Sequence, residues 1–211
     1  MTKVVLDPNH FDSKARQWDS NPVFRERAEK IAAAIRAEVP LHAGMHALDY
    51  GSGSGLLSFP LKDELGLITL KDTSAGMLAV ASEKIAEQGV TNIQVRQVDL
   101  TDAPLPDERY DLIYSSMTLH HIPDTAKILS AFHDLLNPGG HLCIADLDQE
   151  DGSFHGPEVD VHHGFDRAAL GDLARAAGFA DLRFRTVFEI VKQKEDDERA
   201  YPVFLMAARR A

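Results

Sequence analysis

The sequence predicts an α/β fold, with a doubly wound, mostly parallel sheet of seven strands and helices on both faces. Three observations lead to this prediction. From about residue 46, short apolar runs alternate with helical patterns, which is typical of parallel strands joined by right-handed crossovers. A glycine-rich turn at 49–55 separates the first such run from the next helical pattern. The last two predicted strands follow each other without a helix between them, so they should be antiparallel.

Two helices in the first half have clear boundary residues. Asn21 suits an N-cap and Pro22 the first helical position, and Pro40 ends that helix. Ser74 caps another helix, which ends at Gly89. The pattern also predicts a helix at 56–65 and strands at 47–50, 67–70 and 93–98, the last polar enough for an edge.

The second half begins with a fourth strand and ends with a strand pair. In order, the pattern predicts a strand at 110–114, a helix at 124–136, a turn at 137–140 and a strand at 141–145. Asp166 then caps a helix that Gly178 ends. Strands are predicted at 182–190 and 203–207, with the charge run at 192–199 between them as a solvated turn.

Composition limits the classes of function. The 211 residues, 44% hydrophobic and 26% charged, fit a single globular domain. The formal net charge is −11, and no cluster of basic residues interleaved with aromatics is present. Proteins that follow a phosphate backbone usually carry a basic face. The sequence therefore predicts no nucleic-acid partner.

Cysteine use and hydropathy indicate a cytoplasmic protein. Cys143 is the single cysteine, so a disulfide framework within the chain is impossible, which fits a reducing compartment. It lies in the apolar run 142–145 and is interpreted as a core residue. The first residues do not resemble a signal peptide, and no window approaches the ~20 apolar residues of a membrane span.

The glycine-rich turn reads Asp49-Tyr50-Gly51-Ser52-Gly53-Ser54-Gly55. Glycines between a strand and a helix permit positive φ and let a ligand approach the backbone, although a tight turn alone would also explain them. The dinucleotide fingerprint would place its third glycine at position 56, which is leucine here. A dinucleotide also brings a pyrophosphate to the helix N-terminus. The turn therefore favours a cofactor with a single nucleoside.

Two carboxylates follow the next strands. Asp72, 21 residues after Gly51, ends the second strand, where a carboxylate can accept two hydrogen bonds from a ribose diol. Asp99 follows the third strand and can accept from the exocyclic amine of adenine. Each also has a simpler interpretation: Asp72 as an acid at a helix N-terminus, and Asp99 as an acid in a surface loop.

With these motifs the chain resembles class I S-adenosylmethionine-dependent methyltransferases, in the broad group that includes ubiquinone/menaquinone-biosynthesis-type enzymes. The resemblance covers roughly residues 45–150, and its motifs occur in the family's order at 48–55, 72–78, 99–100, 110–116, 119–124 and 136–140. It implies a Rossmann-like sheet of order 3-2-1-4-5-7-6, with strand 7 antiparallel, and S-adenosylmethionine as the cofactor.

The resemblance also implies a role for each matching residue. Cofactor-binding residues are expected around the methionine part (Asp49, Gly51, Ser52, Gly53 and Gly55), at the ribose (Asp72), beside the adenine (Thr73 and Met77), at the adenine amine and ring (Asp99 and the Leu100 N–H), and near the amino-acid end (Ser115). After the fourth strand the chain lacks the Asn/Asp-Pro-Pro-aromatic run of enzymes that methylate nucleobase or glutamine amino groups. A small-molecule acceptor is expected instead, methylated by in-line displacement.

Histidines mark the expected acceptor side. His120 and His121 follow the fourth strand; His120 is hypothesised to face the substrate and to act as a general base, with loop ordering as the alternative. His155, His162 and His163 lie in the polar segment 147–165, which can form a wall of the acceptor site. These three and Asp160 lack the usual spacing of metal ligands, so no metal is expected.

The chain is therefore interpreted as a single methyltransferase domain, 1–211. It comprises an N-terminal lid and helix (1–40), a cofactor-binding core (45–150), and an acceptor-side region with a loop, the last helix and a terminal β-hairpin (151–211). Phe11 and Trp18 belong either to a lid over the cofactor or to a packed flank.

Two alternatives of function remain at this point. One is an NAD(P)-dependent oxidoreductase on a similar sheet. The absence of glycine at position 56 and the antiparallel strand pair at the end of the chain are evidence against it. The other is a non-catalytic S-adenosylmethionine-binding protein, since binding residues do not guarantee turnover.

Overall fold

Seven strands form one sheet in the computed structural model, which describes residues 11–100, 105–156, 159–194 and 197–211. The strands are β1 His46–Tyr50, β2 Leu67–Asp72, β3 Ile93–Gln97, β4 Tyr110–Ser116, β5 Leu136–Leu147, β6 Phe179–Lys194 and β7 Asp197–Arg210. Their order is β3-β2-β1-β4-β5-β7-β6. Strands β1 to β5 pair in parallel, and β7 is antiparallel to both β5 and β6. The predicted order and the antiparallel seventh strand are confirmed.

Three of the helices begin where the sequence places their caps. They are α1 Ala15–Trp18, α2 Pro22–Glu38, α3 Ser58–Leu61, α4 Ala75–Glu87, α5 Thr125–Leu135 and α6 Arg167–Ala176, with a 3₁₀ turn at Leu119–His121. The side chains of Asn21, Ser74 and Asp166 each accept a hydrogen bond from a backbone N–H in the first turn of α2, α4 and α6. These bonds satisfy donors that have no partner within the helix.

Helices cover both faces of the sheet, as predicted. Neighbouring residues of a strand point to opposite faces, and in β1 Ala47 and Leu48 accordingly belong to different hydrophobic clusters. The first cluster contains α2, α3 and α4 through residues such as Ile31. The second contains α5 and α6 through residues such as Phe132. Cys143 is buried in the first cluster, and burial raises the pKa of its thiol to about 12.

The helix predicted at 56–65 is wrong in extent. Only Ser58–Leu61 is helical, because the glycine turn continues to residue 57 and Pro60 has no backbone N–H for a longer ladder. Leu57, Leu61 and Leu65 are all buried. Their four-residue spacing suited a helix, and an irregular path buries the same side chains.

Two predicted turns are also corrected. Residues 137–140 lie within β5 as an irregularity, since Tyr110 pairs with Leu136 and Leu112 with His141. The charge run at 192–199 lies mainly in the hairpin, where Lys192 is paired with Arg199 across β6 and β7. Its residues 195–196 lie outside the described part. The hairpin continues beyond the last β5 pair, Leu147 with Val203, which explains why polar residues occur in strands there.

Two further predictions concern a membrane span and the N-terminal lid. Within the described ranges, no helix combines the length and apolar character needed to cross a bilayer. Residues 1–10 of the predicted lid and Pro157 of the polar segment lie outside the described residues.

Candidate active site

A cavity of about 750 Å³ opens at the carboxyl ends of β1, β2 and β4. Ligands of doubly wound sheets bind at this edge, where the strand order reverses. We call one part the carboxylate end, lined by Asp49, Gly51, Ser52, Gly53, Asp72, Thr73, Met77 and Asp99. We call the other the histidine end, lined by Arg27, His120, His121, Phe154, His155 and Lys192.

The glycine turn forms the floor of the carboxylate end. Gly51 has φ +68°, and a Cβ there would lie 2.2 Å from the Thr118 side chain. Gly53 has φ +54°, a conformation that residues with a Cβ rarely adopt. Between them, the Ser52 hydroxyl is buried and has no hydrogen-bond partner among the described residues. A buried polar atom of this kind normally has a partner, so it is available to a ligand.

Asp49, at the end of β1, is buried behind this turn. Ser58 Oγ donates a hydrogen bond to its Oδ2 (2.7 Å) and lies 2.6 Å from the Tyr114 hydroxyl. Burial raises the pKa of Asp49 to about 7, the Ser58 hydrogen bond opposes that rise, and the charge of Asp72 adds to it. A cationic ligand in the cavity would stabilise the ionised form.

Asp72 joins the two loops that surround the carboxylate end. Its oxygens accept the backbone N–H groups of Gly53 (2.7 Å) and Ser74 (2.8 Å). Burial raises its pKa, and these hydrogen bonds oppose the rise. Each carboxylate oxygen can accept more than one hydrogen bond, so Asp72 can still receive hydroxyl donors. Thr73 and Met77 line the cavity beside it.

Three of the expected cofactor residues lie outside the lining. Ser115 donates its hydroxyl to the Tyr50 carbonyl (2.8 Å), and Ser116 lines the cavity instead. Leu100 is buried, and its backbone is hydrogen-bonded to the Tyr50 phenol. Gly55 packs against Leu70 and Phe59. Because side chains alternate along a strand, the sequence does not reveal which of two adjacent serines faces a ligand.

His120 is held rigidly at the histidine end. Its Nδ1 lies 2.6 Å from Asp146 Oδ1, and its backbone N–H donates to Asp146 Oδ2 (3.2 Å). Asp146 is fully buried in β5 and also accepts the Leu147 N–H (2.8 Å). Burial would raise the pKa of Asp146, but the charge and hydrogen bonds of His120 bring it below its ordinary value. Sequence reasoning missed Asp146, whose signal is a carboxylate within the apolar run 142–147.

His121 and His155 complete a cluster with His120. The Nε2 atoms of His120 and His155 are 3.0 Å apart. The ring centroids of His120 and His121 are 4.1 Å apart, and those of His121 and His155 are 5.4 Å apart. The three residues, predicted separately on two loops, therefore meet at one point of the cavity.

His162 and His163 lie elsewhere. His162 Nε2 is 2.9 Å from the Ile122 carbonyl, and its backbone N–H donates to the His120 carbonyl (2.8 Å). His162 thus orders the loop after β4. The His163 carbonyl accepts the Glu150 N–H. Neither residue lines this cavity, so their contact with the substrate stays a prediction that the cavity does not support.

Two cations at the histidine end were not predicted. Arg27 is only 8% exposed, with its guanidinium 5.0 Å from the Phe24 ring centre. Burial lowers its pKa to about 10, and the charge of Asp146 opposes that effect. Lys192 donates to the Phe154 carbonyl (2.6 Å) and lies over the Phe154 ring. Arg27 lies on an amphipathic helix and Lys192 lies in a charge run. Charged residues in such patterns are usually solvated, so the sequence did not single them out.

The N-terminal segment packs over the cavity. Phe11 and Trp18 line it, and Phe11 makes an edge contact with His121 (5.6 Å between ring centres). Asp12 accepts hydrogen bonds from Ser74 Oγ (2.5 Å) and the Gly76 N–H (2.8 Å) at the start of α4. The segment is thereby fixed to the helix that follows Asp72.

Comparison with known proteins points to one family. A family model described as a methyltransferase domain matches residues 41–196. A curated relative, the ubiquinone/menaquinone biosynthesis C-methyltransferase UbiE of Psychromonas ingrahamii, is 28% identical over 152 residues. That match covers 69% of this chain and 61% of the relative, so the chain spans about three fifths of the relative's length.

Solved structures share the fold. A SAM-dependent methyltransferase from Aquifex aeolicus superposes with a TM-score of 0.70 at 21% identity, covering 98% of this chain and all of that one. Phosphoethanolamine N-methyltransferase 2 of Haemonchus contortus, in complex with S-adenosyl-L-methionine, gives 0.71 at 18% identity. That match covers 95% of this chain and 60% of the Haemonchus contortus chain. At these identities the similarity concerns the fold.

Proposed function

Because this chain belongs to the methyltransferase domain family, we propose that it transfers a methyl group from S-adenosylmethionine to an acidic small molecule held at the histidine end. The observation that carries this proposal is this cavity, whose carboxylate end suits the nucleoside and amino acid of the cofactor and whose histidine end carries Arg27 and Lys192. S-adenosylmethionine supplies a methyl group already activated by its sulfonium.

The residues of the carboxylate end fit this cofactor. A Cβ at Gly51 would meet Thr118, so glycine keeps the turn open and close to a ligand. The unpartnered Ser52 hydroxyl and the buried Asp49 can bind the polar, cationic amino-acid part. Asp72 would accept the ribose hydroxyls, with Thr73 and Met77 beside the adenine and Asp99 at its amine.

The charges of the cavity indicate an anionic acceptor. Among the described residues that line it, the carboxylates Asp49, Asp72 and Asp99 belong to one end. Arg27 and Lys192 lie at the histidine end, and Lys14 lines the cavity from the N-terminal segment, although the whole chain has a net charge of −11. A buried guanidinium is well suited to a carboxylate or phosphate, so the acceptor should carry such a group.

Catalysis in this arrangement depends on position. Holding two reactants in line can contribute roughly 7–11 kcal/mol. Trp18, Phe24 and Phe154 provide rigid apolar walls around the acceptor and exclude water from it. His120, fixed by Asp146, faces the acceptor. Its proposed role as a base would require that its Nε2 first release the contact with His155.

Calorimetry with S-adenosylhomocysteine and NADH tests the donor assignment. We expect binding of S-adenosylhomocysteine, no binding of NADH, and at least tenfold weaker binding by Asp72→Ala because an ionic hydrogen-bond acceptor of the ribose is lost, roughly 1.5–3 kcal/mol. Asp63→Ala is the matched control, since the Asp63 side chain is 83% exposed. Binding of NADH alone would overturn the proposal.

Turnover separates an enzyme from a protein that only binds the cofactor. With a panel of anionic acceptors (carboxylates and phosphates) and cationic acceptors (amines), purified protein should release S-adenosylhomocysteine in the presence of anionic acceptors, and Arg27→Gln should reduce that release. If only cationic acceptors were methylated, the acidic-acceptor assignment would be wrong.

A further inference from the structure

We propose that His120, His121 and His155 bind a divalent transition-metal ion, which holds an oxygen of the acceptor at the histidine end. This inference rests on the proposed function in one respect only, the identification of the ion's further ligand as an oxygen of the acceptor. The three side chains come from two separate segments, the 3₁₀ turn after β4 and the loop that follows β5.

The nitrogen positions suit one ion. One ring nitrogen of each histidine lies within 4.8 Å of the other two. Nitrogens bound to one ion at 2.0–2.1 Å are separated by about 2.9 Å at a right angle and about 3.4 Å at a tetrahedral angle. The 3.0 Å between the Nε2 atoms of His120 and His155 falls in this interval. A small inward movement of His121 would complete the set.

Asp146 orients His120 as metal-binding histidines are usually oriented. An ionised carboxylate can only accept, so in the neutral imidazole of His120 Nδ1 is the donor in the 2.6 Å contact and Nε2 presents its lone pair to the cavity. An ion bound to this lone pair would exclude the role of His120 as a base. The carboxylate is itself fixed by the backbone N–H groups of His120 and Leu147. A ligating histidine typically donates its other ring N–H to such a group.

The site has room for a further ligand from the cavity. All three histidines line it, and three protein ligands with an open position are typical of catalytic metal sites. Imidazole ligands favour zinc, cobalt, nickel and iron over magnesium and calcium. With Arg27 in the same part of the cavity, the fourth ligand would be an anionic oxygen.

Direct metal binding tests the inference. The full chain, purified without a histidine tag and stripped with EDTA, is titrated with Co²⁺ while its visible absorption is recorded. We expect one Co²⁺ per chain, displaced by Zn²⁺. His155→Ala and His121→Ala should each weaken binding at least tenfold, since loss of a group that only orients a ligand already costs about 10–100-fold. His42→Ala removes an exposed histidine and should leave the titration unchanged.

Circular dichroism and S-adenosylhomocysteine binding on the same samples establish that each variant is folded. Absence of stoichiometric Co²⁺ binding, or equal affinity in wild type and His155→Ala, would overturn the inference; the His120–His155 contact would then be a hydrogen bond alone. Cofactor binding without metal binding refutes this inference and leaves the proposed function intact. Metal binding without cofactor binding would support this inference and refute the proposed function.

Discussion

At the scale of single residues, Asp49 links the fold to ligand chemistry. Its burial raises its pKa from 3.8 to about 7. The folded protein therefore holds this proton more tightly than the unfolded chain, and the free energy of unfolding falls as pH rises between these values. A bound cationic amino group would favour ionisation, so binding and deprotonation should be linked.

We therefore predict that the affinity for S-adenosylhomocysteine rises from about pH 5.5 to 7.5, by at most tenfold per pH unit, and is level near pH 8. Asp49→Asn should bind more weakly at pH 8 and show a flatter profile, whereas the exposed Asp63→Asn should behave as wild type. Calorimetry across this range measures both. An unchanged slope in Asp49→Asn would show that another group is linked to binding.

Gly51 and Gly89 provide a matched pair for the glycine turn. Both have positive φ, +68° and +62°, but a Cβ at Gly89 would meet nothing within 4 Å, whereas at Gly51 it would meet Thr118 at 2.2 Å. Gly89→Ala should lower the free energy of unfolding by about 1–2 kcal/mol through backbone strain alone. Gly51→Ala should cost about 1–3 kcal/mol more, from overpacking, and abolish cofactor binding. Urea denaturation measures the difference, and equal losses would contradict the clash.

Among the elements of the fold, the N-terminal segment and the far end of the β6–β7 hairpin contribute to the cavity wall. The N-terminal segment contributes Phe11 and Trp18, and the hairpin beyond the end of β5 contributes Ile190 and Lys192. Asp12 ties the first of these to α4. The lid stays a prediction, with a packed flank as its alternative, and one substitution at Asp12 can separate the two.

We predict that Asp12→Ala lowers the affinity for S-adenosylhomocysteine about tenfold, since the two hydrogen bonds that hold the segment beside the cavity, each worth about 0.5–1.5 kcal/mol, are lost. Arg16→Ala in the same segment is the control, because its side chain is 81% exposed. Equal affinity in Asp12→Ala and wild type would show that the segment only packs on the flank.

At the scale of the molecule, a single sheet carries both ends of the cavity. The two hydrophobic clusters lie on its opposite faces and share its strands, so we expect the cofactor-binding core and the acceptor-side region to unfold together. Binding at the carboxyl edge should consequently stabilise the whole chain.

We predict one cooperative thermal transition, which S-adenosylhomocysteine at about 100 times its dissociation constant moves upward by roughly 5–11 °C, from ~2.7 kcal/mol of stabilisation. Scanning calorimetry, with NADH as the control ligand, measures this shift. Two transitions, with only one moved by the ligand, would show that the acceptor-side region unfolds independently.

Local sequence patterns sufficed to predict the strand order and the edge of the sheet at which the carboxylates meet. Local signals sufficed there: caps such as Ser74 fix where helices begin, apolar runs mark buried strands, and parallel strands bring Asp49 and Asp72 to one edge. Some local patterns fit two structures. The spacing of the leucines in 57–65 fits a helix or an irregular buried path, and the sequence does not show which of the serines 115 and 116 faces the cavity.

The arrangement of the histidine end could not be predicted from local sequence patterns. His120 and His155 are 35 residues apart, Asp146 lies within an apolar strand, and Arg27 is on the N-terminal helix. Their chemistry arises from contacts between segments that are distant in sequence, because each position depends on how loops pack across the sheet edge. The tertiary structure likewise separated His155, which faces the cavity, from His162, whose ring is turned to backbone carbonyls.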